Sequence, residues 1–280
     1  MPRRRVLLAA AATGLLAACG VKRPPTATWD QPDVTNSSTP DGPGPSAGGS
    51  ASPPPSTPPG RSPVPSHSSS AGSGPHAGTG PAGSQRLTGS DAIALTFDDG
   101  PDPQYTPQLL DVLRQYGVQV TFSMIGSRVR DYPDVVRRVV AEGHNLSNHS
   151  WQHLMDLGQR PAAYQNHDLW ATLGWFHSAV PDAPVRYFRA PGGGFTPGLV
   201  QVAASLGMAS LYWDVDPRDW DAATYGHGQP MVDHIVSTVK REARPGSIIL
   251  SHDRVRPDTI AAYKILLPWL KDHFRIARLP

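Results

Sequence analysis

Cysteine is almost missing from this 280-residue chain: Cys19 is the only one, so no internal disulfide can form. Large apolar residues are nearly absent between 20 and 90, a stretch that instead takes 15 of the 31 prolines and 12 of the 27 glycines. Such a composition cannot bury enough surface to offset its ordering entropy, and predicts a disordered linker over 20–90. Positive charge is also scarce where a fold is expected. Residues 1–90 hold seven Lys/Arg and three Asp/Glu, which leaves 18 basic and 20 acidic residues in 91–280. The formal net charge of +2 therefore belongs to the N-terminal third. Without a Lys/Arg-rich stripe, the folded part lacks the electrostatic footprint of a nucleic-acid binder.

What is present begins with MPRRRVLLAAAATGLLAACG. Three arginines precede an apolar segment too short for a lasting membrane span, which is the pattern of an export signal. Leu16-Ala17-Ala18-Cys19 resembles the lipobox of bacterial lipoproteins, in which the cysteine is lipidated and becomes the mature N-terminus. Arg3-Arg4 leaves the Sec or Tat export route open. Residues 1–19 are thus expected to be a signal peptide ending at a lipid anchor on Cys19, with the chain at the outer face of the cytoplasmic membrane. Flexible-coil scaling gives the tether a reach of about 45 Å.

Residues 91–280 are long enough for one domain with a real core. Seven short apolar runs punctuate them: IALTF (93–97), VTFSMIG (120–126), NLSNH (145–149), VRYFRA (185–190), SLYWDV (210–215), SIILSH (247–252) and RIARL (275–279). Six helical patterns lie between, several opening at Thr-Pro or Tyr-Pro and several closing at Gly. The alternation predicts an α/β fold with about seven parallel strands, whose chemistry sits beyond the C-terminal strand ends. Asp98 and Asp99, His149, Arg189, Asp216 and His252 all fall at such ends.

Two adjacent carboxylates in LTFDDGPDP (95–103) are costly near a core unless cations accompany them. HSWQH (149–153) sets two histidines four apart, a spacing that can place both imidazoles on one ion. Alone that pair is a weak signal; with an aspartate from another strand end it becomes a two-His, one-Asp set with open positions, as in catalytic metal sites.

Five motifs in order, TFDDGP (96–101), HSWQH (149–153), RAPGG (189–193), DPRDW (216–220) and LSH (250–252), resemble the polysaccharide deacetylase family, also known as carbohydrate esterase family 4 or the NodB homology domain. The resemblance covers 91–280 and implies a distorted (β/α) barrel. It implies Asp98 as general base and Asp99, His149 and His153 as ligands of a divalent metal, zinc first and cobalt second. Arg189 would hold Asp98, and Asp216 would tune His252, the general acid. Gly192 would donate its backbone N–H to the oxyanion, and Trp220 and Leu250 would line the pocket for the acetyl methyl.

The third motif departs from the family pattern. An aromatic usually follows its proline, whereas this chain has Pro191-Gly192-Gly193-Gly194-Phe195. A backbone donor survives that change; an aromatic wall does not, and Phe195 is the candidate to replace it. The expected activity is hydrolysis of the N-acetyl amide of N-acetylhexosamine units in a cell-wall or extracellular polysaccharide, peptidoglycan first and chitooligosaccharide second, by a monomer. An O-acetyl esterase of xylan-like glycans and a non-catalytic glycan-binding lipoprotein are the alternatives.

Overall fold

A computed structural model describes residues 78–280. The signal segment, Cys19 and most of the linker lie outside the described residues. Residues 78–90, expected in the linker, belong to the folded body. A 3-10 turn at Pro81–Gly83 leads to Gln85, which bridges Leu211, and Leu87, which bridges Ser247. Backbone pairing needs no apolar side chains, so composition could not reveal this segment.

The main body alternates strand and helix: β1 (Ala94–Asp98), α1 (Tyr105–Tyr116), β2 (Thr121–Met124), α2 (Gly126–Asp131), α3 (Pro133–Ala141), β3 (Asn145–Asn148), α4 (Ala162–Ala179), β4 (Val185–Phe188), α5 (Pro197–Ser205), β5 (Ala209–Ser210), α6 (Ala222–Tyr225), α7 (Gln229–Glu242), β6 (Ile248–His252) and α8 (Pro257–His273). All pairings are parallel, in the order β5-β4-β3-β2-β1-β6. The sheet curls into a distorted barrel. Its outer strands approach where Asp214 N–H donates to Ile248 and Leu250 N–H donates to Val215.

The described sheet has six strands, not seven. The last run contributes one bridge, Ile276 to Ile93, just ahead of β1. From Thr96 onward β1 is paired on both sides, by β2 and β6, so a seventh strand has no free edge there.

Strand alternation sorts the two faces. Leu95 and Phe97 of β1, Phe122 and Met124 of β2, Leu146 of β3 and Ile249 of β6 face the helices. They form one core with Leu109 and Leu113 of α1, Val136 and Val139 of α3, Ile235 of α7, and Tyr263 and Leu266 of α8. The intervening residues face the barrel interior, where register puts Thr96 beside Leu250 and Asp98 beside His252. That interior is apolar at the N-terminal strand ends, where Ala94, Tyr187, Leu211 and Ile248 pack together, and polar toward the C-terminal ends. Thr121, Ser123 and Ser147 turn buried hydroxyls into it that have no partner among the described residues.

Phe97 carries much of the outer core, touching Phe122 at 5.7 Å and the Tyr263 ring edge-on at 4.8 Å between centroids. Phe97→Ala should cost about 3–5 kcal/mol of unfolding free energy. Chemical denaturation should show a lower midpoint at unchanged slope.

Candidate metal centre and active site

Each chemically capable residue stands where a strand gives way to a loop. Asp98 ends β1 and is buried. Arg189, one residue past β4, is completely buried and spends its donors on four acceptors: Asp98 Oδ1 at 2.7 Å, Thr96 Oγ1 at 2.8 Å, and the carbonyls of Tyr212 and Leu211 at 3.0 and 3.3 Å. A lone buried guanidinium would be expensive; here carboxylate and carbonyl oxygens replace its water shell.

Asp99, His149 and His153 converge, with one ligand atom from each lying within 4.8 Å of the others. His149 Nδ1 lies 2.8 Å from the Arg189 carbonyl oxygen, which can only accept, so Nδ1 carries a proton and Nε2 is the atom a metal would take from the neutral ring. That Nε2 is 3.6 Å from Asp99 Oδ1 and 3.7 Å from Asp98 Oδ2, and His153 Nε2 is 3.4 Å from Asp99 Oδ1. Asp99 Oδ1 is buried and has no hydrogen-bond partner among the described residues. An orphaned carboxylate oxygen facing two imidazole nitrogens suits a divalent cation that accepts mixed N and O ligands. Burial pushes the Asp99 carboxyl up, but the facing histidines outweigh it and hold it below the ordinary carboxylate range. Burial lowers His153, with His149 adding to the effect, so its imidazole favours the neutral form a ligand requires.

The ligand loop is held in an unusual shape. Asp99, Ser150 and His153 all have positive φ, at 78°, 64° and 59°. Left-handed backbone at such residues costs on the order of 1–3 kcal/mol each and persists only where surroundings dictate it. Here they do. Asn148 accepts from Ser150 N–H and donates to the Leu169 carbonyl, Ser150 Oγ accepts from His153 N–H, and Asp168 of α4 accepts from Trp151 N–H. Burial raises Asp168 to about 6.

His252 ends β6 beside Asp98. Its partner is Asp219, not Asp216. Asp219 accepts from His252 Nδ1 at 2.7 Å, from its backbone N–H at 2.8 Å and from Thr259 Oγ1 at 2.7 Å. Asp216 turns back on its own loop, accepting from Arg218 N–H at 2.8 Å. The motif DPRDW offers two aspartates three apart, and order along the chain does not say which one the turn buries. Burial works against the His252 cation, but Asp219 above all, then Asp99 and Asp98, raises its pKa to about 9.

The other nominated residues have clear placements. Leu250 is buried on the inward face of β6, two residues below His252. Trp220 is 43% exposed, with the Arg218 guanidinium 5.1 Å above its ring. Gly192 has φ 57° within a 3-10 turn whose own hydrogen bonds are donated by Gly193 and Gly194, leaving its N–H outside them. Phe195 does not replace the missing wall; it packs into a small core against Phe188 at 5.9 Å. Trp170 and Trp175 are exposed on α4.

A further buried acid lies outside the motifs, beside the catalytic strand ends. Asp253 is fully buried, accepts a short hydrogen bond from Thr106, and presses on the DDGP turn so closely that a Cβ on Gly100 would lie 2.5 Å from its Oδ2. Burial, reinforced by Asp99, Asp102 and Asp98, raises its pKa to about 7. Its position directly after His252 was the only hint in the sequence.

The polysaccharide deacetylase profile matches residues 85–211. A chitooligosaccharide deacetylase of Sinorhizobium fredii is 39% identical over 208 residues, covering 69% of this chain and 92% of that protein. The chain belongs to the polysaccharide deacetylase family. A peptidoglycan-N-acetylglucosamine deacetylase of Bacillus cereus is 40% identical over 183 residues, covering 64% of this chain and 81% of the relative. Among solved structures, the family 4 carbohydrate esterase from Streptomyces lividans, in complex with acetate, superposes with a TM-score of 0.60 at 31% identity. That match covers 67% of this chain and 91% of the other.

Two outcomes test the site. His149→Ala should weaken zinc or cobalt binding by on the order of 100-fold or more, since even outer-sphere partners of metal ligands are worth 10–100-fold; equilibrium dialysis with metal analysis reads this directly. Asp219→Asn removes the main charge that raises His252. A raised histidine pKa keeps the cation present at low pH and loses it as pH rises through the folded value. The alkaline limb of the kcat/KM profile should therefore move down by roughly 1–3 pH units.

Proposed function

We propose that this deacetylase removes N-acetyl groups from cell-wall glycan, peptidoglycan first, with zinc at Asp99, His149 and His153. The observation that carries the reading is the convergence of two paired groups on one ligand set: Asp98 with Arg189, and His252 with Asp219. Such a centre offers both a proton acceptor and a proton donor beside one cation.

When bound, the cation polarises the acetyl carbonyl and acidifies water. The chain's own residues do the rest. Asp98, its charge compensated by Arg189, takes a proton from the attacking water. The water oxygen bonds to the acetyl carbon, and Gly192 N–H donates to the oxygen that gains charge. As the C–N bond breaks, His252 delivers its proton to the departing amine, and Asp219 keeps the ring oriented through Nδ1. Acetate and a free amino sugar result.

The wall as substrate is supported by the B. cereus relative, named for peptidoglycan N-acetylglucosamine, and by the export signal and lipobox that precede the long tether. On this reading, lipidation of Cys19 holds the enzyme at the outer face of the membrane, with the wall inside its reach. The S. fredii relative makes chitooligosaccharide the second substrate.

Mass spectrometry of peptidoglycan fragments and of chitooligosaccharides, after incubation with the zinc-loaded protein, should show loss of acetyl at a defined sugar. Acetate released from acetylated xylan alone would overturn the amide specificity. Asp98→Asn should lower kcat by roughly 10²–10⁴-fold with zinc content unchanged. Near-normal turnover in that variant would remove Asp98 from the role of base.

A further inference from the structure

The triple glycine after Pro191 leaves a gap in the wall, and the structure shows what stands around it. Met155 lies two residues beyond the ligand His153 and is 65% exposed. Its thioether reaches across to motif three: a Cβ built on Gly192 would collide with Met155 Cε and lie 3.2 Å from its Sδ. The two loops are fastened to each other beneath it. Thr196 Oγ1 donates to the Gly158 carbonyl at 3.1 Å, and a Cβ on Gly158 would sit 2.7 Å from the Gly194 carbonyl oxygen. Gly193 is backed by other rings, since a Cβ there would meet Trp213 Cη2 at 2.7 Å and Tyr212 Cε2 at 2.8 Å. Trp213 is stacked on Tyr212 at 4.1 Å, with the Arg189 guanidinium 5.8 Å from its centroid, so it braces the glycines.

Met155 therefore takes the volume that a side chain at 192 would fill, and it does so from the metal-ligand loop. We infer that Met155 is a substrate-contacting, specificity-determining residue: it forms the apolar wall of the sugar subsite next to the oxyanion donor Gly192, against the C–H face of an N-acetylhexosamine ring. The choice of ligand rests on the deacetylase reading above. A thioether side chain with three rotatable bonds suits this task, since it is apolar, polarisable and adapts to uneven surfaces. Its exposure fits as well. An apolar side chain left in water beside a polar metal site gains by being covered.

The test compares zinc-loaded Asp98→Asn protein with zinc-loaded Asp98→Asn/Met155→Ala protein, each titrated calorimetrically with the N-acetylglucosamine pentamer. Loss of a partly covered methionine should weaken binding about 5–10-fold at equal zinc content. In the otherwise wild-type chain, Met155→Ala should raise KM with little change in kcat, and Met155→Leu should restore most of the affinity. Equal affinities overturn the inference, as does failure of the Asp98→Asn protein to bind the pentamer. Loss of zinc from the double variant also overturns it, because Met155 would then be a prop of the ligand loop. A wild-type chain that binds the pentamer through Met155 but releases no acetate overturns the deacetylase reading and leaves the subsite standing.

Discussion

A completely buried guanidinium organises this molecule. Arg189 sits in the barrel interior and joins two distant segments of the chain through four acceptors: Thr96 and Asp98 of β1, and the Leu211 and Tyr212 carbonyls beyond β5. Its own carbonyl accepts from His149, so the residue that pairs with Asp98 also sets the tautomer of a metal ligand. Desolvating such a group is tolerable only with well-placed acceptors, and breaking one side of a buried pair leaves an uncompensated charge. Strand order, barrel closure and site geometry are therefore tied to one side chain.

The adjacent aspartates make sense on those terms. Asp98, at the strand end, faces inward to Arg189, while the left-handed backbone at Asp99 redirects the second carboxylate toward His149 and His153. The two like charges serve different neighbours, Asp98 the Arg189 guanidinium and Asp99 the two imidazoles. The strain of that turn is contained by Asp253 and Thr106 on one side of the loop. On the other, the Ile125 N–H donates to the Gly100 carbonyl, and Arg128 donates to the Pro101 carbonyl and to Asp102.

Much of this was legible in the sequence, because strand ends in parallel α/β folds are marked by a switch from apolar alternation to polar or glycine-rich residues. That switch located Asp98, His149, Arg189 and His252. Failures came where neighbours far along the chain decide. Nothing local separates Asp216 from Asp219, since the choice depends on which carboxylate meets His252 and Thr259. The run at 275–279 has a strand's composition but finds β1 already paired on both sides. Gln85 and Leu87 sit in linker-like sequence yet pair through their backbones. Asp253 became visible only once the DDGP turn had a shape to press against.

The attachment of residues 85–87 has a mechanical consequence. Gln85 N–H donates to Ser210 and its carbonyl accepts from Tyr212 N–H, so the chain enters the domain along the sheet's outermost strand. Tension applied from the N-terminal side would load those two hydrogen bonds in shear. The next links in the force path are the Leu211 and Tyr212 carbonyls that accept from Arg189, so a pull from that side would be passed to the Arg189–Asp98 ion pair.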